Sequence, residues 1–173
     1  MRHEISARRR ERGFSLIELM IVIAIIGILV GVAVPAWRNA VIAGNETSAI
    51  RTLNTLTVEQ RTYYNNKGRS GYGTFQQLVE NGALDKRFLD GDEPVIEGYK
   101  FTMKVTQKSS NQPPSFSINA DPQQKDGLGA TGKRHFYVDS NINTVRVNSN
   151  GPASADDSPT GESESGGGGG ENK

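Results

Sequence analysis

Residues 19–34 are wholly apolar or glycine, and eleven of those sixteen residues are Ile, Leu or Val. At about −0.3 to −0.6 kcal/mol per such residue, the run favours entry into a bilayer by about 5 kcal/mol. Sixteen residues at ~1.5 Å rise reach only about 24 Å, short of a hydrocarbon core of roughly 30 Å. A spanning helix must therefore recruit residues 14–17, and Glu18 comes with them. A carboxylate costs about 2.5–3.5 kcal/mol at the centre of such a helix and less near its end, so it normally has a partner or a task. Arg2, Arg8, Arg9, Arg10 and Arg12 precede the run, opposed only by Glu4 and Glu11. Positive flanks stay cytoplasmic, which places everything after Trp37 on the far side of the membrane.

A secretory signal explains part of this pattern, because Val34, Pro35 and Ala36 loosely mimic a small-residue cleavage site. It does not explain the interrupted positive region or a glutamate near the start of the apolar segment. A plain membrane anchor also leaves Glu18 without a purpose. The stretch Gly13-Phe14-Ser15-Leu16-Ile17-Glu18-Leu19, opening the apolar tract after a short basic leader, resembles the processing site of type IV pilins and of the related type II secretion pseudopilins. That resemblance implies a membrane peptidase that cuts between Gly13 and Phe14 and methylates the new amine of Phe14. Glu18 becomes the fifth residue of the mature chain. On that reading a cationic amine at Phe14 beside a low-dielectric region would be neutralised by Glu18 of a neighbouring subunit, removing two unpaired buried charges at once.

Gly27 and Gly31 form a small-residue pair four apart, a spacing that lets membrane helices approach closely. With Pro35 they lower helix propensity by roughly 1, 1 and 3 kcal/mol, so residues 27–35 are where this helix bends or unwinds most readily. Beyond Pro35 a helical pattern resumes: Ile42, Ala49, Leu53, Leu56, Gln60 and Tyr63 share one side, while Arg38, Asn45, Ser48, Thr55, Glu59 and Thr62 supply the other. The spacing predicts one helix over about residues 14–66, roughly 80 Å long. A capping box at Thr74 and Gln77 predicts a short second helix ending at Gly82. Alternating runs follow: Tyr99, Phe101, Met103 and Val105; Phe116, Ile118 and Ala120; Phe136 and Val138; Val145 and Val147. Period two with one apolar side predicts half-buried antiparallel strands, the last two joined as a hairpin by residues 139–143.

The expected fold is α+β: a long N-terminal helix whose second half packs against a small antiparallel sheet of three to four strands, the layout of pilin-like domains. The expected organisation is a cleaved leader over 1–13, a transmembrane and assembly helix over 14–37, a globular domain over 38–148 and a disordered tail over 149–173. That tail is rich in Ser, Gly and Asp/Glu, ends in five glycines at 166–170, and has no aliphatic side chain larger than Ala. The resemblance implies a homopolymer, with a prepilin peptidase, an inner-membrane assembly machinery and, for the precursor, the membrane itself as partners. The rivals are a major pseudopilin and a monomeric membrane-tethered binding module.

Other chemistry is sparse. No cysteine is present, which excludes thiolate sites and the disulfide that frequently closes the C-terminal region in this family. His3 lies in the leader, leaving His135 as the one histidine after processing. Removing the leader takes away a charge of +3, so a whole-chain charge of +1 becomes −2, and no direct nucleic-acid binding is expected. Residues 127–132 read G-x-G-x-x-G, but no strand immediately precedes them and no helix pattern follows, so they form a loop rather than a dinucleotide site. Asp121, Asp126, Asp139, Asp156 and Asp157 do not have the spacing of a calcium-binding helix-loop-helix motif. Asn45-Glu46-Thr47 matches a glycosylation pattern by coincidence. No catalytic residue, metal site or cofactor is expected.

Overall fold

The computed structural model describes residues 13–67, 71–142 and 144–161. The first twelve residues of the expected leader, and the last twelve of the expected tail, lie outside them. The chain divides into two compact units between Asn39 and Ala40. One helix, α1 (Leu16–Asn66), contributes to both, and it continues through Gly27, Gly31 and Pro35.

In the first unit the side chains of α1 are exposed, among them Ile23 at 60% and Val32 at 71%. In the second unit the same helix buries a stripe: Glu46, Ala49, Leu53, Leu56, Thr57 and Gln60. Leu53 and Leu56 are inaccessible to solvent and meet the inner face of the sheet. Gln60 belongs to this stripe because its amide is fully used. Its Oε1 accepts from the Gly73 amide at 2.9 Å, and its Nε2 donates to the Gly73 carbonyl at 2.6 Å and to Met103 Sδ at 3.2 Å. A buried amide with all its groups paired costs little.

The chain then forms a short helix α2 (Phe75–Glu80) and a 3₁₀ turn over Lys86–Leu89. The Thr74 hydroxyl accepts from the Gln77 amide while the Gln77 side chain accepts from the Thr74 amide, the reciprocal cap expected from the sequence. Six strands follow: β1 (Val95–Ile96), β2 (Tyr99–Thr106), β3 (Ser115–Pro122), β4 (His135–Asp139), β5 (Arg146–Asn148) and β6 (Ser158–Pro159). They form a single meander in chain order with every pair antiparallel. Tyr99, Phe101, Phe116, Ile118, Ala120, Phe136, Val138, Val145 and Val147 line the core side. The intervening residues face outward, as period two requires.

Two expectations are corrected. The sheet has six strands rather than three to four, because β1 and β6 have two residues each and are too short to show alternation. β1 is joined to β2 by a two-residue turn in which Glu97 and Gly98 both have positive φ, 48° and 77°, the conformation that matches hairpin twist. The second correction concerns residues 149–161, expected to be disordered. They instead fold back on the sheet, with Ala153 buried and β6 closing the edge beside β5. Hydrogen bonds replace the missing aliphatic side chains there. Pro159, lacking an N–H, sits on an edge strand, where such a residue is tolerated.

Candidate functional site

The N-terminal unit presents its site as a sequence of exposed groups. Gly13 lies just before the helix and Phe14 is 86% exposed. The Ser15 carbonyl accepts from the amides of Glu18 at 3.1 Å and Leu19 at 3.2 Å, which starts the helix and sets Glu18 in its first turn. An acidic side chain there complements the partial positive charge of the helix N-terminus. Gly27 and Gly31 have open space where a Cβ would sit, so none of the described residues demands glycine at either position. Pro35 cannot donate to the carbonyl of Gly31 four residues earlier, which leaves that carbonyl without its helical bond. The helix contains an 18-residue window of mean hydropathy 2.9, none of it buried.

Exposed Ile, Leu and Val at this density cannot persist in water. Fully burying one such side chain is worth about 1.5–3 kcal/mol. The side chains of this unit call for an apolar cover that the described residues do not supply.

The second unit is held by two polar clamps that the sequence reading did not identify. Glu46 is buried on α1, its carboxylate paired with Arg134 at 2.8 Å. Its Oε1 also accepts from the amides of Lys133 at 2.9 Å and Arg134 at 3.3 Å. Beside it, Asn45 Nδ2 donates to the Thr131 carbonyl at 2.9 Å, so the amide of the apparent glycosylation pattern is already engaged. These contacts fasten the loop before β4 to the helix. The G-x-G-x-x-G stretch belongs to that loop, and a Cβ at Gly132 would collide with the Tyr99 phenol. Tyr99 Oη donates to the Arg134 carbonyl, and burial, reinforced by the charge of Glu46, pushes its acidity well below that of an ordinary tyrosine. The signal for Glu46 was present: positions 46, 49, 53, 56 and 60 keep helical spacing.

The other clamp holds the C-terminal segment. Asp157 Oδ1 accepts from Asn148 Nδ2 at 2.9 Å, and its Oδ2 accepts from the Ser154 amide at 2.7 Å and the Ser154 hydroxyl at 3.0 Å. Arg146 donates to the Asp157 carbonyl at 2.9 Å, and Asn119 Nδ2 to the Ala153 carbonyl at 2.8 Å. Lys125 Nζ reaches the carbonyls of Ser149 at 2.9 Å and Asn150 at 3.1 Å. Three of the acidic residues considered for calcium, Asp121, Asp139 and Asp157, are used in other ways. Asp121 pairs with His135 at 2.6 Å, and Asp139 caps the β4–β5 turn through the amides of Asn141 and Ile142. Among the described residues no group of three or more His, Cys, Asp or Glu side chains is placed to hold a metal ion.

Residues 8–34 match the prokaryotic N-terminal methylation motif. The chain is 43% identical over 146 residues to the type IV major pilin protein PilE of Neisseria gonorrhoeae, a match spanning 71% of this chain and 87% of that one. The chain belongs to the type IV pilin family. It is also 46% identical over 111 residues to the major fimbrial protein FimA of Dichelobacter nodosus, covering 59% of this chain and 69% of FimA. With the major pilin PilA of Myxococcus xanthus it shares 42% identity over 60 residues, which is 35% of this chain and 27% of PilA. No solved structure matches it. These relatives are structural pilins and fimbrial proteins, and this pilin is likewise not an enzyme.

Proposed function

We propose that this pilin is the polymerising subunit of a type IV pilus. It is inserted by α1 as a precursor with residues 1–13 in the cytoplasm, cut between Gly13 and Phe14 by a prepilin peptidase, methylated at Phe14, and drawn by an inner-membrane machinery into a surface fibre. Residues 14–37 form the assembly segment, and the globular unit faces outward. One observation carries this reading: the apolar half of α1 is uncovered in the isolated chain and lies largely within the stretch, residues 8–34, that matches the N-terminal methylation motif. In the membrane, lipid covers those side chains. In the fibre, other copies do, and the Phe14 amine of one copy neutralises Glu18 of another. Residues 27–35 are the segment that gives way as the helices come together, because three residues there weaken the backbone ladder.

A pseudopilin would share the first forty residues, and a monomeric tethered module would share only the anchor. The relatives named as major pilins favour the first reading over both. The test is mass measurement and N-terminal sequencing of the mature protein from cells, paired with electron microscopy of the cell surface. An N-methylated Phe14 in protein drawn from long fibres is the expected result. A chain retaining Met1, or one trimmed after Ala36 and freely soluble, overturns the proposal.

A further inference from the structure

Leu128 is 89% exposed, the most exposed large apolar side chain among the described residues. It stands at the tip of the loop between β3 and β4, flanked by Gly127 and Gly129, which add no side chains of their own. The loop is firmly built. The Thr131 amide donates to the Gln124 carbonyl at 2.8 Å, Gln124 Nε2 donates to the Asp126 carbonyl at 3.0 Å, and Asn45 and Glu46 fasten the loop's far end to α1. A chain that orders a loop this thoroughly around an uncovered leucine is presenting that leucine.

The same unit contains a groove of about 540 Å³ at its other end, floored by Phe75, Phe88, Leu89, Met103 and Val105. Leu89 is 46% exposed there. Gln60 bonds to Met103 beside this groove, while Asn45 holds the loop that carries Leu128. Fifteen residues of α1 separate those two anchors, roughly 22 Å along its axis, so the projecting side chain and the groove cannot meet within one copy. A projection at one end and a recess at the other make a head-to-tail contact, the kind that builds an open filament when the rotation between copies does not close. Charge agrees with this pairing. Asp92 is the charged residue lining the groove, and the loop carries Lys125 and Lys133 against Asp126, the charge of Arg134 being met by Glu46.

We infer that Leu128 of one copy seats in the Phe75–Leu89–Met103 groove of the next, a contact between globular units that adds to the helix packing of the fibre. This rests on the polymer reading above. The chain has no cysteine, so two introduced thiols report on this contact alone. Fibres of the double variant Leu128→Cys, Leu89→Cys, mildly oxidised and run on a non-reducing gel, are expected to give a ladder of dimers and higher multimers. Each single variant is expected to stay monomeric. Fibres visible by electron microscopy that give no ladder, or that give dimers from Leu128→Cys alone, overturn the contact and leave polymerisation intact. Absence of fibres from the unaltered chain overturns polymerisation itself. If the double variant makes no fibres, the two single variants are co-expressed with excess unaltered chain. Cross-linked dimers in those mixed fibres support the contact, and monomers alone overturn it.

Discussion

Val32 and Leu53 lie on the same helix, yet one is 71% exposed and the other has no solvent contact. The backbone is helical at both places, and the residue types are similar. What differs is the pattern around them. Val32 stands in a continuous apolar tract, which has no preferred side and is left exposed among the described residues. Leu53 stands in a stripe with Ala49, Leu56 and Gln60, which selects one face and buries it against the sheet. Periodicity therefore marks what a chain buries by itself, and continuous apolarity marks what it leaves for lipid or for other copies. The polar residues divide in the same way. Glu46 has Arg134 and two backbone amides as partners within the chain, whereas Glu18 lies in an exposed first turn.

The difference is best tested by removing the two glutamates. Glu18→Ala should leave cleavage after Gly13 unchanged and reduce fibre yield by at least tenfold, since an unneutralised buried amine costs about 3–5 kcal/mol. Quantitative electron microscopy with mass measurement of the processed chain checks both halves of that statement. Normal fibre yield would remove Glu18 from assembly. Glu46→Ala should do the reverse, lowering the stability of the globular unit by about 2–3 kcal/mol through the stranded amides of Lys133 and Arg134. The loss is below that of a fully buried ion pair because Arg134 is 44% exposed and regains water. Chemical denaturation of the full chain in detergent measures it.

Asp157→Ala should cost less, about 1–2 kcal/mol, because Ser154 and Asn148 lie near enough to the surface for water to replace part of what is lost. Limited proteolysis should then cut first within residues 149–161. The smallest effect is alkaline. Burial, helped by the hydrogen bond to Asp139 and its charge, raises the Tyr137 pKa from 10.0 to about 12. A raised folded-state value means that the neutral phenol is favoured by the fold. Its contribution is complete below pH 10 and is lost as pH rises through about 12. Melting curves from pH 9 to 12 should show a decline that is shallower in Tyr137→Phe.

Much of this was legible in the sequence. The apolar tract over 19–34, the N-terminal methylation motif over 8–34, the Thr74 cap and the alternating strands each leave a local signature of residue type and spacing. What escaped notice depends on contacts far apart in the chain. Glu46 and Arg134 are 88 positions apart, and only the helical phase of Glu46 hinted at burial. β1 and β6 are two residues long, and the fold over 149–161 is made by Asp157, Asn148 and Asn119 in a segment whose composition reads as solvated tail. Polar residues give no periodic signal when they act as clamps, because their partners are set by the topology of the sheet.

The claim on which the account turns is that other copies complete what this chain leaves open at its N-terminus. A fibre structure by electron cryomicroscopy at side-chain resolution tests it directly. The account predicts the Phe14 amine within about 4 Å of the Glu18 carboxylate of an adjacent copy, with the residues of the apolar tract packed helix against helix. A fibre in which both charges face water, or in which that tract lies against its own globular unit, would contradict it.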